Sequence, residues 1–428
     1  MAVFFAPAGA AGIRASPSKS LSSLTTKIQS VQRFLLQRGT ICCLASASAA
    51  TVARKGIHNQ EKHKLASQSK ANILARHAAN AALNIPLPAI AMRGARDLGA
   101  DEPFYPLDER IIAGAADAME SGQTHYVDVP GIPPLREAIA EHLNADSGTS
   151  WGSANILVTA GMQEARFLTT QIIGAQYASI AVPAVAHPGL RKALGLKRRE
   201  VLSLPDEPER GFLPTLEGIA AALENGCRLL YLESPSRLSG AVYSASQVAR
   251  IADLLAQHDA AAIWDAGLAR WVADGCSSLA AQAQESVAVI GEAWHGSGLG
   301  AWLVGAIAAP TDWIAPMQSQ KQIMAICTST ASQYAALAAS EIIGETQQQR
   351  LAQMHAQRAA AVVLAGELGL DILPGAAENL LALRLDASGR GKLAEAGIDF
   401  AAGEDFGAPD TIRLNIGAAT IAALETLA

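Results

Sequence analysis

Short apolar runs alternate with amphipathic stretches along the chain from about residue 150. The runs are rich in Val, Ile, Leu and Ala and predict buried strands at 155–161, 177–183, 228–235, 260–267, 287–293 and 302–310. Between them, "TLEGIAAALENG" and "SASQVARIADLLAQHD" repeat apolar residues at helical spacing. Because parallel strands need crossover connections, this alternation predicts an α/β fold whose mostly parallel sheet is covered on both faces.

The C-terminal part of the chain has a different pattern. A long helix is predicted at 345–369, followed by the strand-like runs "LALRL" and "DTIRLNIGAAT". These elements favour a smaller α+β domain. The predicted divisions are an N-terminal arm with part of the small domain (61–124), a large domain (125–340) and a C-terminal small domain (341–428).

The first 60 residues differ in charge from the remainder. They contain no Asp or Glu, seven Lys or Arg and many Ser. This composition is typical of an organelle transit peptide, and the alternatives are a disordered tail or a wrongly assigned start. The expected location is the cytoplasm or, if the leader is a transit peptide, a plastid or mitochondrion.

The rest of the chain carries 26 basic against 39 acidic residues. This acidic balance argues against nucleic-acid binding, which needs a basic face. No apolar run reaches the roughly 18 residues of a membrane span. The cysteines lack metal-binding spacing, and neither a metal site nor a disulfide framework is predicted.

The ends of the predicted strands carry a set of motifs in one order. They include "SGQTHYVDVPGIPPLREAIAEHL", "ILVTAGMQEARFL", "YLESPSRLSGAVYS", "IWDAG" and "IRLNIGAAT". The chain, over about 85–420, therefore resembles the class I/II aminotransferases, which use pyridoxal phosphate (PLP). The resemblance implies the fold-type I architecture: a mostly parallel seven-stranded sheet in a large domain, with a smaller α+β domain. It also implies a homodimer that transfers an amino group between an amino acid and a 2-oxo acid.

The resemblance assigns the cofactor contacts to three places. Asp265 matches the carboxylate that keeps the pyridine nitrogen protonated, and a helix N-cap is its alternative interpretation. Gly161, Met162 and Gln163 match the helix N-terminus that binds the phosphate, although a simple loop has the same pattern. His187 stands where the family has the aromatic residue that stacks on the cofactor ring.

Two further residues match the substrate side of the family's site. Arg413 corresponds to the arginine that binds the substrate carboxylate through a bidentate fork, with a surface arginine as the alternative. Tyr126 corresponds to the tyrosine that reaches the phosphate of the neighbouring subunit, with a tyrosine at the rim of the site as the alternative.

The loop "VIGEAWHGSGLG" departs from the family pattern. In the alignment, His295 takes the position of the Schiff-base lysine, and Lys321 lies on the next helix. Leu303 takes the position of the phosphate-binding arginine, and Glu292 or Trp294 that of the phosphate-binding serine. The partners of the phenolic oxygen are also replaced, an asparagine by the run "RLSG" at 237–240 and a tyrosine by Leu268.

These departures leave three functions open. A chain without a lysine amine at this position forms no Schiff base with PLP, which makes the family's transamination doubtful. The first alternative is a catalytically inactive binding or regulatory descendant. The second is an enzyme that uses the amine form of the cofactor, with His295 as a base, because an imidazole titrates near neutral pH.

Overall fold

Two β-sheets organise the chain in the computed structural model, which describes residues 99, 107–196, 200–294 and 297–428. The predicted leader (1–60) and His295 lie outside these residues. No helix in the described part of the chain has the length and apolar character needed to cross a membrane.

The first half of the described chain supplies most of the larger sheet. Its elements are α1 Glu109–Glu120, α2 Pro133–Ser147, β1 Ile156–Ala160, α3 Gly161–Leu168, β2 Ser179–Pro183, α4 Pro188–Leu194, β3 Glu200–Leu204, β4 Asp206–Glu207, β5 Leu213–Pro214, α5 Leu216–Glu224, β6 Leu229–Glu233, α6 Ala245–Gln257, β7 Ala261–Asp265, α7 Ala280–Ala283 and β8 Val287–Glu292.

The second half completes the larger sheet and forms the smaller one. Its elements are β9 Val304–Ala308, α8 Thr311–Met324, α9 Thr330–Ser340, α10 Ile343–Glu367, β10 Asp371–Ile372, β11 Leu380–Arg384, α11 Ala387–Glu395, β12 Ala401–Ala402, α12 Gly403–Phe406, β13 Thr411–Asn415 and α13 Ala418–Leu427.

The larger sheet has seven strands in the order β1-β9-β8-β7-β6-β2-β3. Strands β3, β2, β6, β7 and β8 pair in parallel, whereas β9 is antiparallel to both β8 and β1. The central strands are buried along nearly their whole length, as expected when helices cover both faces. The carboxyl ends of the parallel strands therefore share one edge, at which open α/β sheets bind their ligands.

The smaller sheet has four strands in the order β10-β11-β13-β12, and all its pairs are antiparallel. The long helix α10 packs on it through buried residues that include Met354 and Ala361. This sheet matters for the site because Arg413 lies in β13, opposite Ala382 of β11.

The predicted α/β fold with a mostly parallel seven-stranded sheet is confirmed, and six of its strands lie within the predicted runs. The seventh, β3, was not predicted because most of its residues are exposed and its sequence forms no continuous apolar run. The long helix begins two residues earlier than predicted and ends at Glu367. The described residues from 107 to 428 belong to one compact unit, and the predicted domain boundaries stay a prediction.

Candidate active site

Two buried carboxylates lie side by side at the carboxyl edge of the larger sheet. Glu233 ends β6 and Asp265 ends β7, and the two residues are paired in register across the parallel strands. Their exposed fractions are 2% and 0%. Burying two neighbouring acids is costly unless hydrogen bonds and cations compensate for the lost water. The surroundings of each acid therefore define the electrostatics of this edge.

Asp265 is held by donors on both carboxylate oxygens. Its Oδ2 accepts from Arg166 Nη2 at 3.1 Å and from the Tyr231 hydroxyl at 2.9 Å, while Oδ1 accepts from the Gly267 N–H at 3.0 Å. Burial acts to raise the pKa of Asp265, but the charges of Arg166 and Arg237 and the Gly267 N–H keep it below its ordinary value. Asp265 is thus an anion that already has a buried cationic partner.

Glu233 is held by two backbone groups. Its Oε1 accepts from the His187 N–H at 2.9 Å, and its Oε2 accepts from the Arg237 N–H at 3.2 Å. Burial, and then the charge of Asp265, raise the pKa of Glu233 to about 7. The carboxyl edge of the sheet therefore combines one carboxylate that stays ionised, Asp265, with one carboxyl group that titrates near neutral pH, Glu233.

The N-terminus of α3 begins directly after β1, where the phosphate contact was predicted. Gly161 has a φ of +70°, and it and Met162 are buried. The Gln163 amide points away from the turn and donates to the carbonyl of Gly189 at 3.0 Å. Leu303 packs against Gly161: a Cβ added to that glycine would lie 3.4 Å from Leu303 Cδ2. An aliphatic side chain thus covers the predicted phosphate turn.

His187 lies beside the two acids rather than in isolation. Its Nδ1 accepts from the Gly189 N–H at 2.9 Å and so caps α4. Its ring contacts Phe406 edge to face, with 6.1 Å between ring centroids. The sequence-predicted aromatic position therefore lies at the strand-end edge, where it also anchors Glu233 through its backbone.

Arg413 reaches the same edge from the smaller sheet. Its exposed fraction is 2%, and its guanidinium lies 5.3 Å from the centre of the Phe406 ring. Nη1 donates to the carbonyl of Arg237 at 2.8 Å, and Nη2 donates to the carbonyl of Gly99 at 3.0 Å. The interpretation of Arg413 as a surface arginine is wrong, and its guanidinium is positioned between the two sheets.

Arg237 and Leu268, which the resemblance places beside the phenolic oxygen of the cofactor, are both buried. The Arg237 side chain is fully buried, and a Cβ added to Gly267 would lie 2.4 Å from its Nη1. Its charge helps to lower the pKa of Asp265 and partly opposes the rise in the pKa of Glu233. Leu268 packs into the core around the smaller sheet. Arg237 therefore adds a buried cation beside the two acids, whereas Leu268 belongs to the apolar core of the smaller sheet.

The loop 293–303 joins β8 to β9, and His295 within it lies outside the described residues. On one flank, Trp294 has a φ of +64° and packs against His142, with 4.6 Å between ring centroids. On the other flank, Leu303 has a φ of +53° and is 56% exposed. Leu303 is therefore an exposed apolar residue in a left-handed conformation at the mouth of the predicted cofactor site.

Lysines in the described residues are at positions 192, 321 and 392. Lys192 and Lys392 lie on α4 and α11, and Lys321 lies on α8 with its amine bound to Glu164. The described residues also hold no cluster of three or more His, Cys, Asp or Glu arranged to bind a metal.

Tyr126 lies in the segment between α1 and α2 and is 81% exposed. It lines a groove together with Thr328 and Ser329, which precede α9. The neighbouring His125 carbonyl accepts from the Thr330 hydroxyl at 3.0 Å. None of the hydrogen bonds among the described residues joins Tyr126 to the carboxylate edge of the same chain.

Arg166 and Glu233 were missed by the sequence interpretation. Arg166 occurs in "GMQEARFL", where a charged residue stands among the apolar positions of a buried helix. Glu233 ends the otherwise apolar run "RLLYLE". An ionisable residue inside a buried element needs a partner, and this signal was available before the structure.

Comparisons with known proteins identify the family and the fold of this chain. A model of the family "Aminotransferase class I and II" matches residues 96–428. The aspartate/prephenate aminotransferase of Thermus thermophilus is 28% identical over 246 residues, which cover 56% of this chain and 63% of that protein's length. The aspartate aminotransferase of Bacillus sp. is 24% identical over 336 residues, covering 74% of this chain and 86% of the relative.

Solved structures show the same fold. A double mutant of Thermus thermophilus aspartate aminotransferase superposes with a TM-score of 0.73 at 23% identity, covering 91% of this chain and 99% of the other. The aromatic aminotransferase of Pyrococcus horikoshii has a TM-score of 0.72 at 23% identity, with 77% and 94% covered. The sequence motifs, the strand-end carboxylates and the family match lead to one conclusion: this chain belongs to the class I and II aminotransferases.

Proposed function

We propose that this chain is a non-covalent carboxylate-binding member of its family that forms no Schiff base with PLP. The observation that carries the proposal is the composition of the loop 293–303, which contains no lysine although it joins β8 to β9 where the family has its catalytic amine. Arg413 is meanwhile buried at the strand-end edge. The ligand class is an amino acid or a 2-oxo acid.

The residues present do not fit the family's cofactor. Asp265, the expected partner of the pyridine nitrogen, already binds Arg166 and the Tyr231 hydroxyl through one oxygen. Leu303, an aliphatic residue, packs on the expected phosphate turn. An incoming cofactor has to compete with a buried ion pair for its anion, and it gains no charge-assisted hydrogen bond from Leu303. We therefore derive no catalytic step through PLP for this chain.

The ligand proposal is tested by thermal unfolding with added carboxylates. The relatives are aspartate and aspartate/prephenate aminotransferases, so aspartate, glutamate and their 2-oxo acids are tested first. At a concentration tenfold above the dissociation constant, binding stabilises the folded state by about 1.4 kcal/mol, or roughly 2–4 °C in Tm. Arg413→Ala removes the clamp and is expected to abolish the shift.

A matched control is available on the neighbouring strand. Arg384 of β11 is a half-exposed arginine in the same sheet, paired with Asp371. Arg384→Ala is expected to keep the full ligand shift. Equal ligand shifts in wild-type protein and Arg413→Ala contradict the carboxylate clamp.

The absence of a Schiff base is tested with PLP and with its amine form. Wild-type protein is expected to develop no aldimine absorbance with PLP, and borohydride treatment is expected to leave no pyridoxyl adduct after mild loading. Mass spectrometry of peptides identifies any modified lysine. A stoichiometric adduct at one lysine, Lys321 included, contradicts the proposal. Tight binding of the amine form alone favours the alternative in which His295 acts as a base.

We further propose that the chain forms a homodimer through the surface around Tyr126. Ile323 at the end of α8 is 82% exposed, and Tyr126 shares its groove with Ala325 and residues 327–331, which follow that helix. Exposed apolar side chains of this kind are typical of contact surfaces. Ile323→Lys is expected to yield monomer in light scattering, whereas Val363→Lys, at a position 62% exposed on α10, is expected to leave the dimer intact. A wild-type monomer at micromolar concentration contradicts this proposal.

A further inference from the structure

Lys321 is a fully buried lysine that the carboxylate-binding proposal does not use. It lies on α8 with an exposed fraction of 0%. Its ammonium group donates to Glu164 Oε2 at 2.7 Å and to the Thr328 hydroxyl at 3.2 Å. A lysine at such depth persists when a carboxylate compensates for the lost hydration. The pair with Glu164 is therefore the reason that Lys321 is tolerated there.

Glu164 brings the negative charge of this pair to the N-terminus of α3. It lies in the first turn of that helix, and its Oε2 also accepts from the N–H of Ala160, the last residue of β1. The N-terminus of a helix carries a partial positive charge, which a nearby carboxylate stabilises. The α3 terminus thus has an anion of its own, supplied from within the chain.

Leu303 covers the same turn from the other side. Its Cα, Cβ and Cδ2 lie 3.4–3.6 Å from the place where Gly161 would carry a Cβ. A leucine offers neither charge nor a hydrogen-bond donor to an anion. The turn is consequently neutralised by Glu164 and shielded by Leu303.

We infer that the Glu164–Lys321 ion pair replaces the cofactor phosphate as the counter-charge of the α3 N-terminus, so that this chain excludes phosphorylated ligands from the turn. A phosphate dianion arriving there meets the Glu164 carboxylate, and like charges at close range repel. The ligands of the site are then small carboxylates that lack a phosphate group. This inference involves none of the residues that carry the carboxylate clamp.

Inorganic phosphate and PLP are the probes, applied to the full chain in thermal unfolding at constant ionic strength. Chloride and unphosphorylated pyridoxal serve as the matched controls. Wild-type protein is expected to show the same Tm in phosphate and in chloride. Leu303→Gly opens the turn and suits the left-handed backbone, yet it keeps Glu164 and is expected to remain insensitive to phosphate.

Combining Leu303→Gly with Glu164→Gln is expected to create phosphate binding. The glutamine still accepts hydrogen bonds, but the charge of Lys321 now lacks its anion beside the open helix terminus. A Tm rise of about 2 °C or more at about 10 mM phosphate is expected for a millimolar site. Adding Lys321→Met to this double variant is expected to weaken phosphate binding at least tenfold, because the cation is gone.

Three results overturn the inference. They are a phosphate-specific Tm rise in wild-type protein, the same rise in Leu303→Gly alone, and no phosphate response in Leu303→Gly/Glu164→Gln. If Leu303→Gly/Glu164→Gln does not fold, the Tm of Glu164→Gln/Lys321→Met is compared with the Tm of Glu164→Gln and that of Lys321→Met. A Tm loss smaller than the sum of the single losses supports the pair, and an additive loss overturns it. Inorganic phosphate carries no carboxylate, so failure here is distinguishable from failure of the Arg413 clamp.

Discussion

Removing Arg166 is expected to destabilise the protein in a strongly pH-dependent way. Arg166 is 2% exposed and binds Asp265, which is fully buried, at 3.1 Å and 3.3 Å. Arg166→Leu leaves the Asp265 carboxylate with the Tyr231 hydroxyl, the Gly267 N–H and the charge of Arg237, but without its ion-pair partner. Breaking a buried pair in this manner costs about 3–5 kcal/mol near neutral pH.

The sign of the pH effect follows from the pKa of Asp265. In the wild-type protein this pKa is below its ordinary value, so the carboxylate stabilises the fold at neutral pH and loses that effect as the pH falls through the folded pKa. In Arg166→Leu, burial is the largest influence on Asp265 and is expected to outweigh the remaining charge of Arg237, so that the pKa of Asp265 rises. The variant then loses stability as the pH rises, and the difference from wild type grows between about pH 4.5 and pH 7.5.

Urea unfolding followed by tryptophan fluorescence measures this difference, since the chain has six tryptophans and two of them, Trp264 and Trp271, are at most 1% exposed. With a slope of about 3 kcal/mol/M, the midpoint of Arg166→Leu is expected about 1–1.7 M lower at pH 7.5 and much closer to wild type at pH 4.5. The double variant Arg166→Leu/Asp265→Asn removes both charges and is expected to lack the pH-dependent part.

Arg270→Leu provides a comparison at a more exposed ion pair. Arg270 binds Asp146 at 2.7 Å, and the aspartate is 49% exposed. Solvent screening limits the Coulombic contribution of such a pair to about 0–1 kcal/mol. A loss in Arg166→Leu that is below 1 kcal/mol, or that is equal at both pH values, refutes the reasoning about Asp265.

Three further predictions concern other residues. The pKa of Glu233 in the folded protein is about 7, above its ordinary value of 4.5, so the wild-type protein should lose stability as the pH rises from about 4.5 to about 7. The urea midpoint of Glu233→Gln should lack the part of this pH-dependent loss that Glu233 causes. Gly131→Ala should lower the free energy of unfolding, measured in urea, by about 1–3 kcal/mol, because Gly131 has a φ of +103° and a Cβ there would lie 2.5 Å from Val158 Cγ2. Burial raises the pKa of Cys276 to about 11. Its alkylation by iodoacetamide at pH 7.5, measured by mass spectrometry, should therefore be roughly tenfold or more slower than that of a free cysteine. Unfolding the protein should remove this difference.

The fold was predictable because its central strands are buried on both faces. Runs such as 229–233 and 261–265 are apolar along their length, and a continuous apolar run between helical stretches identifies a strand of a parallel sheet. Strand β3 lies at the edge of the sheet with most of its residues exposed, and its sequence carries little of this signal. An edge strand forms because it pairs with a neighbouring strand, and a local sequence pattern does not record that pairing.

The candidate site was predictable for those residues that lie within a recognised sequence motif. Asp265 and Arg413 were found from their flanking sequences, and both lie at the strand-end edge. The contact between Arg166 and Asp265 joins residues 99 positions apart, and the contact between Lys321 and Glu164 spans 157 positions. No local pattern records which cation faces which anion, so these pairs required the three-dimensional arrangement.

The two ion pairs explain how a family fold tolerates unusual charges at its site. The cores around β6 and β7 consist of aliphatic and aromatic side chains, so the strands keep their register whatever occupies the strand ends. At the ends themselves, Arg166 faces Asp265 and Lys321 faces Glu164. Each buried cation is neutralised locally, and reverting one member of a pair leaves a buried charge without its partner. Under the proposal that this chain forms no Schiff base with PLP, we therefore expect that gaining cofactor chemistry requires coupled changes at several of these positions and that His295→Lys alone does not supply them.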